Sequence, residues 1–150
     1  MRHALAPGTG DPAIFKLDDC STQRNLSAEG RAQAERTGNA FQQKNVAVER
    51  VLSSQWCRCL DTATLMAVGE VEPFPPLNSF FRDRSTEPAQ TAQVQQFMLE
   101  QQGNPGVTVM VTHFVNISAI AGIGPSSGEM VVMRLNDQNQ LEVLGAIAAL

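Results

Sequence analysis

The run Val-Thr-Val-Met-Val-Thr at residues 107–112 restricts the fold of this chain more than any other feature of its sequence. It is an almost unbroken series of β-branched residues, which is typical of a strand buried on both faces. Both faces of a strand are buried when helices cover each side of a mostly parallel sheet. We therefore expect Val107–Thr112 to lie in the interior of such a sheet.

Helices and strands are predicted to alternate along the chain. Helical spacing of apolar residues predicts three helices, over Ser27–Lys44, Trp56–Val68 and Pro88–Gln102. In the second helix this spacing places four residues on the buried face, namely Cys57, Leu60, Thr64 and Ala67. Further strands are predicted at Val46–Ser53 and Glu72–Phe74, and a final hairpin at Gly128–Leu135 and Gln140–Ile147.

This alternation predicts an α/β fold in which residues 1–150 form one domain. The expected architecture is a three-layer sandwich, with a mostly parallel central sheet, helices on both faces and an antiparallel edge.

Composition excludes several classes of function. The net charge is −4, and the 11 Lys and Arg residues are scattered rather than clustered, which argues against a nucleic-acid partner. No apolar run approaches the roughly 20 residues of a membrane-spanning helix, so we expect a soluble protein without membrane insertion. The oligomeric state is not constrained by the sequence.

The three cysteines, Cys20, Cys57 and Cys59, lack the spacing of a metal site, and we expect neither a metal nor another cofactor. A disulfide from Cys20 to Cys57 or Cys59 is one possibility, and three buried thiols are the other.

Only Met1 and Arg2 precede His3, so the strand leading to His3 is expected to be incomplete. A periplasmic location is favoured over a cytoplasmic one, and it goes together with a Cys20 disulfide.

The only two histidines, His3 and His113, both follow predicted strand ends. Ligands of open α/β sheets bind outside the carboxyl ends of the strands, where these side chains would meet. Arg2 and Arg58 would add planar guanidinium donors that suit phosphate oxygens, and Arg58 also lies near a helix N-terminus, which favours anions. The pattern predicts a cationic phosphate site with an imidazole nucleophile.

Three segments resemble the signatures of the histidine phosphatase superfamily, the phosphoglycerate mutase-like proteins. They are Arg2-His3-Ala4, the stretch from Ser53 to Ala63 (SSQWCRCLDTA) and Val111-Thr112-His113. The stretch from Gln23 to Gly30 (QRNLSAEG) is similar to the segment that begins the first helix in this family. The resemblance implies that His3 forms a phosphohistidine while Arg2, Arg58 and His113 bind the phosphoryl group.

The chain departs from the family pattern at two places. Ala4 stands where a glycine usually follows the nucleophile, and Leu77-Asn78-Ser79 stands where many members carry a glutamate. A proton donor for the leaving group is therefore sought elsewhere, and the candidates are Asp83, Glu87 and Asp11. The alternative is a leaving group that needs no acid, as in phosphohistidine or an acyl phosphate.

The leading hypothesis is a phosphatase that hydrolyses a phosphomonoester or phosphoramidate through a phosphohistidine on His3. Its substrate would be a phosphorylated small molecule or a phosphoprotein. Two alternatives remain, a phosphomutase and a protein that binds a phosphate ligand without turnover. The short middle segment lacks material for a lid that encloses an intermediate, which favours hydrolysis over the mutase.

Overall fold

A computed structural model describes residues 1–150, and its elements follow the predicted alternation. The four helices are α1 (Ala28–Gln43), α2 (Cys57–Met66), α3 (Glu87–Glu100) and α4 (Phe114–Ala121). The five strands are β1 (Val48–Ser53), β2 (Val71–Pro73), β3 (Val107–Val111), β4 (Met130–Leu135) and β5 (Leu141–Ile147). Short 3-10 turns occupy Cys20–Thr22, Pro75–Leu77 and Arg84–Thr86. No helix is both long and apolar enough to span a membrane.

The central sheet is parallel, with strand order β2-β1-β3. Val51 of β1 is paired with Val71 of β2 and with Val109 of β3. The far side of β3 is also covered, because Arg2 forms a parallel bridge to Thr112. The β-branched run therefore lies inside the sheet, as its composition predicted.

The chain start connects this sheet to the final hairpin. The Arg2 N–H donates to the carbonyl of Glu129 at 3.0 Å, and the Gly128 N–H donates to the carbonyl of His3 at 3.0 Å. Strands β4 and β5 beyond this junction form a separate antiparallel pair. The predicted antiparallel edge is present, and residues 1–3 form the link to it.

Helices cover both faces of the parallel sheet, as the α/β prediction requires. Alternate residues of each strand point to opposite faces, so Val51 and Leu52 enter different cores. One core packs α1 and α2 on the sheet through Ala34, Ala63 and Met66. The other packs α3 on the opposite face through Val94 and Phe97.

Helix α1 begins as its sequence predicts and packs unusually close to its neighbours. The Ser27 side chain accepts a hydrogen bond from the Gly30 N–H at 3.0 Å, which makes Ser27 the N-cap. A Cβ at Gly30 would lie 2.0 Å from the Leu5 carbonyl oxygen, and one at Gly38 would lie 1.8 Å from that of Met66. These two glycines allow α1 to rest directly on backbone.

The predicted buried face of α2 is wrong. Thr64 and Ala67 are exposed, whereas Arg58, Thr62 and Met66 are buried. The helix ends at Met66 because Ala67 adopts a left-handed conformation, with φ 49°. The first turn of α2 is buried, so the polar residue Arg58 lies in the interior, where the apolar pattern had predicted a solvent-exposed side chain.

Candidate active site

His3 is held by backbone hydrogen bonds on both sides. Its N–H donates to the carbonyl of Thr112 at 2.9 Å, and its own carbonyl accepts from Gly128 at 3.0 Å. The residue is only 2% exposed. The sheet thus sets the position of the imidazole although the residue lies near the start of the chain.

One contact determines which nitrogen of His3 carries the proton. Nδ1 lies 2.8 Å from the carbonyl oxygen of Ala4. A carbonyl only accepts, so Nδ1–H is the donor and Nε2 keeps its lone pair. Burial lowers the pKa of His3 to about 3; the Ala4 carbonyl acts in the opposite direction, and the charges of nearby arginines lower the pKa further. The imidazole is therefore neutral, with a free nitrogen.

His113 lies directly before α4 and is oriented from both of its ring nitrogens. Arg58 Nη2 lies 3.4 Å from His113 Nδ1, and a guanidinium can only donate. His113 Nε2 therefore carries the proton and donates to Ser54 Oγ at 2.9 Å. Burial, followed by the charge of Arg58, lowers the pKa of His113 well below its ordinary value. The two imidazole rings are 5.6 Å apart.

Arg58 forms a buried two-pronged ion pair with Asp11. Nη1 donates to Oδ1 at 2.7 Å and Nη2 donates to Oδ2 at 3.2 Å. Only 3% of the Arg58 side chain and 8% of the Asp11 side chain are exposed. Burial alone would raise the pKa of Asp11, but the hydrogen bonds and charge of Arg58, together with the hydrogen bonds from Arg24 and Trp56, hold the pKa below its ordinary value. Asp11 is therefore a carboxylate.

Arg2 and Arg24 bring further positive charge, and their guanidinium groups donate to backbone carbonyls rather than to carboxylates. Arg2 Nη1 donates to the carbonyl of Pro125 at 2.9 Å, and Arg24 Nε donates to that of Gly10 at 2.7 Å. The Nε atoms of Arg2 and Arg58 are buried and have no partner. Buried donors of this kind normally have an acceptor, and an oxyanion would supply one.

These side chains converge on a cavity of about 260 Å³. Its charged and aromatic lining residues are Arg2, His3, Asp11, Phe15, Arg24, Trp56, Arg58, Phe81, Arg82, Arg84, His113 and Phe114. The lining therefore contains five arginines and only one carboxylate, and this excess of positive charge favours an anionic ligand. A larger depression of about 550 Å³ beside α3 is lined by residues such as Phe74 and Gln93, with no histidine or arginine.

The arrangement agrees with a family comparison. The model of the histidine phosphatase superfamily (branch 1) matches residues 2–79, which is just over half of the chain. The chain belongs to the histidine phosphatase superfamily. A search of curated proteins returned no significant match.

Several solved structures share this fold. The protein histidine phosphatase SixA complexed with tungstate is 18% identical, with a TM-score of 0.66 and coverage of 99% of this chain and 94% of that one. The product of open reading frame Rv3214 from Mycobacterium tuberculosis is 15% identical, with a TM-score of 0.72 and coverage of 99% and 95%. Phosphoserine phosphatase from Entamoeba histolytica is 12% identical, with a TM-score of 0.70 and coverage of 99% and 94%.

The three carboxylates predicted as proton donors occupy different positions in this superfamily fold. Asp11 lines the cavity but is paired with Arg58. Asp83 is exposed and accepts hydrogen bonds from Ser85, and Glu87 forms a surface ion pair with Arg84 at 2.9 Å. Neither Asp83 nor Glu87 lines the cavity.

The amide of Asn78 lies behind the site and holds it by hydrogen bonds. Its Oδ1 accepts from the Gln55 N–H at 2.8 Å and from the Ser54 hydroxyl at 3.2 Å. Ser54 in turn contacts His113. Asn78 therefore orders the hydrogen bonds behind His113, and an amide has no acidic proton to give.

The structure selects one of the two cysteine alternatives, a disulfide between Cys20 and Cys57. Cys59 is the free thiol, and it is buried. The disulfide joins the segment after Asp11 to the first turn of α2, directly beside Arg58.

Several cavity residues were missed by the sequence reasoning, notably Arg24, Trp56, Phe15 and Arg82. Arg24 lay within the recognised QRNLSAEG segment, which was the available signal. Phe15 and Arg82 lie in segments without regular periodicity, and no pattern in the sequence indicated their position.

Proposed function

We propose that this chain is a phosphatase that hydrolyses a phosphomonoester or phosphoramidate through a phosphohistidine on His3. The observation that carries the proposal is the state of that imidazole. Its Nδ1–H is committed to the Ala4 carbonyl, its pKa is about 3, and its Nε2 is left as a neutral nucleophile.

The first step would form a bond between His3 Nε2 and phosphorus while the bond from phosphorus to the leaving group breaks. The departing group takes the bonding electrons and a proton from solvent. A water molecule would then attack the phosphohistidine, releasing inorganic phosphate and restoring His3. Splitting one transfer into two steps is the advantage of a covalent intermediate.

The arginines would stabilise the charge on the transferring phosphoryl group. Phosphoryl transfer depends mainly on alignment and on cations placed around the equatorial oxygens. The Nε–H groups of Arg2 and Arg58 are buried without a protein partner, and they would donate to those oxygens. His113 is neutral, and its ring nitrogens contact Arg58 and Ser54. Its role would therefore be to hold the Arg58 guanidinium in position.

The ionisation of the carboxyl group in the cavity restricts which leaving groups can depart. The one carboxylate that lines the cavity is ionised and bound to Arg58, so it has no proton to donate. This favours leaving groups that depart without a carboxylic acid, as in N-phosphorylated compounds, acyl phosphates and activated aryl phosphates. SixA, one structural neighbour, is named a protein histidine phosphatase, which makes N-phosphorylated protein side chains a reasonable first test.

The test combines turnover with trapping. Purified protein is assayed on p-nitrophenyl phosphate, an alkyl phosphate and a phosphoramidate, and a labelled phosphoenzyme is trapped by rapid quenching. We expect turnover of the aryl and N-phosphorylated compounds and an acid-labile, base-stable label on His3. The His3→Ala variant should lose both.

Arg58→Gln should reduce kcat/KM strongly, whereas Arg36→Gln serves as a matched control on the exposed surface of α1. Turnover that survives His3→Ala would contradict the proposal. Tight oxyanion binding without turnover of any substrate would instead favour the binding-protein alternative, and return of the label to a second substrate hydroxyl would favour the mutase.

A further inference from the structure

The ion pair between Asp11 and Arg58 leaves that arginine with few free donors. Besides its contacts to Asp11, Nη1 lies 3.3 Å from the carbonyl of Arg24 and Nη2 lies 3.4 Å from His113 Nδ1. Both terminal nitrogens are therefore fully engaged with the protein. The Nε–H is the one donor of Arg58 that lacks a partner.

Asp11 itself is fixed at nearly every polar atom. Besides the two contacts from Arg58, its carboxylate accepts from the Arg24 N–H at 3.2 Å and from Trp56 Nε1 at 3.1 Å. The loop carbonyls are also bound, since Arg82 Nη2 donates to those of Asp11 and Pro12 at 2.7 and 2.8 Å. Displacing Asp11 would leave the partly buried Trp56 and Arg24 donors without their acceptor, which is unfavourable.

We propose that Asp11 is a positioning residue for phosphoryl recognition. By holding the terminal nitrogens of Arg58, it leaves the Nε–H as the one donor of that guanidinium for the phosphoryl group. Asp11 stays paired while the anion is bound, and it neither competes with the anion nor donates a proton. This inference rests on the proposed function, because it takes Arg58 as a phosphoryl ligand.

Two other roles for Asp11 predict different results. If the Asp11 carboxylate occupied the anion site, it would have to move out before an oxyanion could bind. Removing its charge would then tighten oxyanion binding. A proton donor would matter only for poor leaving groups, and its removal would not alter oxyanion binding. The positioning role predicts weaker binding and slower turnover together.

The experiment measures tungstate affinity and kcat/KM on p-nitrophenyl phosphate for Asp11→Asn. An asparagine is nearly isosteric, but its NH₂ group is a donor and would face an Arg58 N–H, which is also a donor. At least one of the two hydrogen bonds to Arg58 is therefore lost. We expect tungstate affinity and kcat/KM to fall together by roughly 10- to 100-fold, the usual effect of a hydrogen bond to a charged group. The matched control is Asp18→Asn, which removes the same charge from an exposed position of the same segment and should change neither value.

A double-mutant cycle shows whether Asp11 acts through Arg58. In an Arg58→Gln background, Asp11→Asn should have less than about a twofold further effect, because the group it positions is absent. A full independent effect in that background would overturn the proposal. Tighter tungstate binding in Asp11→Asn, or unchanged binding with slower turnover of alkyl phosphates alone, would also overturn it.

A measurement on the unaltered protein covers the case in which Asp11→Asn does not fold. The Nε–H resonance of Arg58, assigned by its loss in Arg58→Gln, is followed by NMR during a tungstate titration. We expect this resonance to shift at saturation while the carboxyl carbon of Asp11 keeps its chemical shift. Tungstate binding that leaves the Nε–H unmoved would overturn the inference alone, whereas failure of the protein to bind tungstate or turn over would overturn the proposed function as well.

Discussion

The reactivity expected of His3 depends on a proton held at Nδ1 by a backbone carbonyl. Neutral imidazole is the nucleophilic form, and burial lowers the pKa of this residue to about 3. The neutral form therefore persists well below the ordinary histidine value of about 6.5.

We accordingly expect kcat/KM to keep its neutral-pH value down to about pH 5, once the ionisation of the substrate is taken into account. An acid limb centred near pH 6.5 would contradict the assigned state of His3. The measurement is a pH–rate profile on p-nitrophenyl phosphate, whose aryl leaving group needs no acid.

Protonation of the same histidines should govern acid stability. His3 and His113 have lowered pKa values in the folded protein, whereas they titrate near 6.5 when unfolded. Below that pH the unfolded chain binds more protons, so the free energy of unfolding must fall as pH decreases. The slope should be roughly 1.4 kcal/mol per pH unit for each histidine.

Urea unfolding between pH 7 and pH 4.5 measures this slope. Replacement of His113 by Gln should remove about half of it. A free energy of unfolding that is constant over this range would show that the histidines are not buried in the neutral form.

Ser54 provides a separate test of how His113 is oriented. Its hydroxyl is the acceptor for His113 Nε2–H, at 2.9 Å, and the free thiol of Cys59 lies farther away at 3.5 Å. We expect Ser54→Ala to lower kcat/KM about tenfold, because the ring loses a hydrogen bond that fixes its orientation. Ser53→Ala is the control, since that hydroxyl is equally buried but donates to a backbone carbonyl. The nitrogen chemical shift of His113 Nε2 would report the loss of this hydrogen bond directly.

The sequence was informative about residues that carry chemistry and uninformative about residues that support them. His3, Arg58 and His113 stood in short motifs at strand ends, and the structure brings them to one cavity. Asp11 was predicted only as a candidate proton donor, because nothing in the adjacent sequence indicates that it pairs with Arg58, 47 positions away. Long-range ion pairs of this kind depend on loop conformation, which has no periodic signature.

At the scale of elements, the close approach of α1 to α2 gives a sharp prediction. In an open helix, Gly→Ala stabilises by about 1 kcal/mol. At Gly38 a Cβ would lie 1.8 Å from the Met66 carbonyl oxygen, so the helices would have to separate.

We therefore expect Gly38→Ala to destabilise the protein by about 2 kcal/mol or more, the range of overpacked cores. Asn39→Ala is the matched control, because Asn39 is the next residue and is exposed. Its effect should stay within about 0.5 kcal/mol. Equilibrium urea unfolding measures both, and stabilisation by Gly38→Ala would show that the two helices are less closely packed.

Element positions were predicted well where burial imposes a period, and poorly where the site interrupts it. The bounds of α1 and β3 differ from the predicted ones by only one residue at each shifted end. The face of α2 was wrong because Arg58 is buried in an ion pair with Asp11, and Thr62 is buried while donating to the Arg58 carbonyl, so hydropathy does not decide either position. Helix α4 (Phe114–Ala121) was not among the three predicted helices, and only the structure shows it.

At the scale of the whole molecule, the Cys20–Cys57 disulfide closes a loop of 37 residues. A cross-link of that span stabilises by about 4 kcal/mol in the chain-entropy account. For a protein of this size, that corresponds to a decrease in Tm of about 10 °C when the bond is absent.

Thermal unfolding of the Cys20→Ser/Cys57→Ser double variant should show this decrease and no further response to reductant. The unaltered protein should move to the same Tm when a reductant is added. A Tm that is equal in oxidising and reducing conditions would contradict the disulfide.

Trp56 has a consequence for how this molecule can be studied. It is the only tryptophan of a chain without tyrosine. Its indole stacks on Phe15 with ring centroids 5.0 Å apart, donates to Asp11 and meets the His113 ring edge-on at 5.4 Å. Ultraviolet-excited emission from the whole protein therefore originates at the wall of the cavity, and its intensity can report occupancy, protonation of His113 and unfolding in one unlabelled sample.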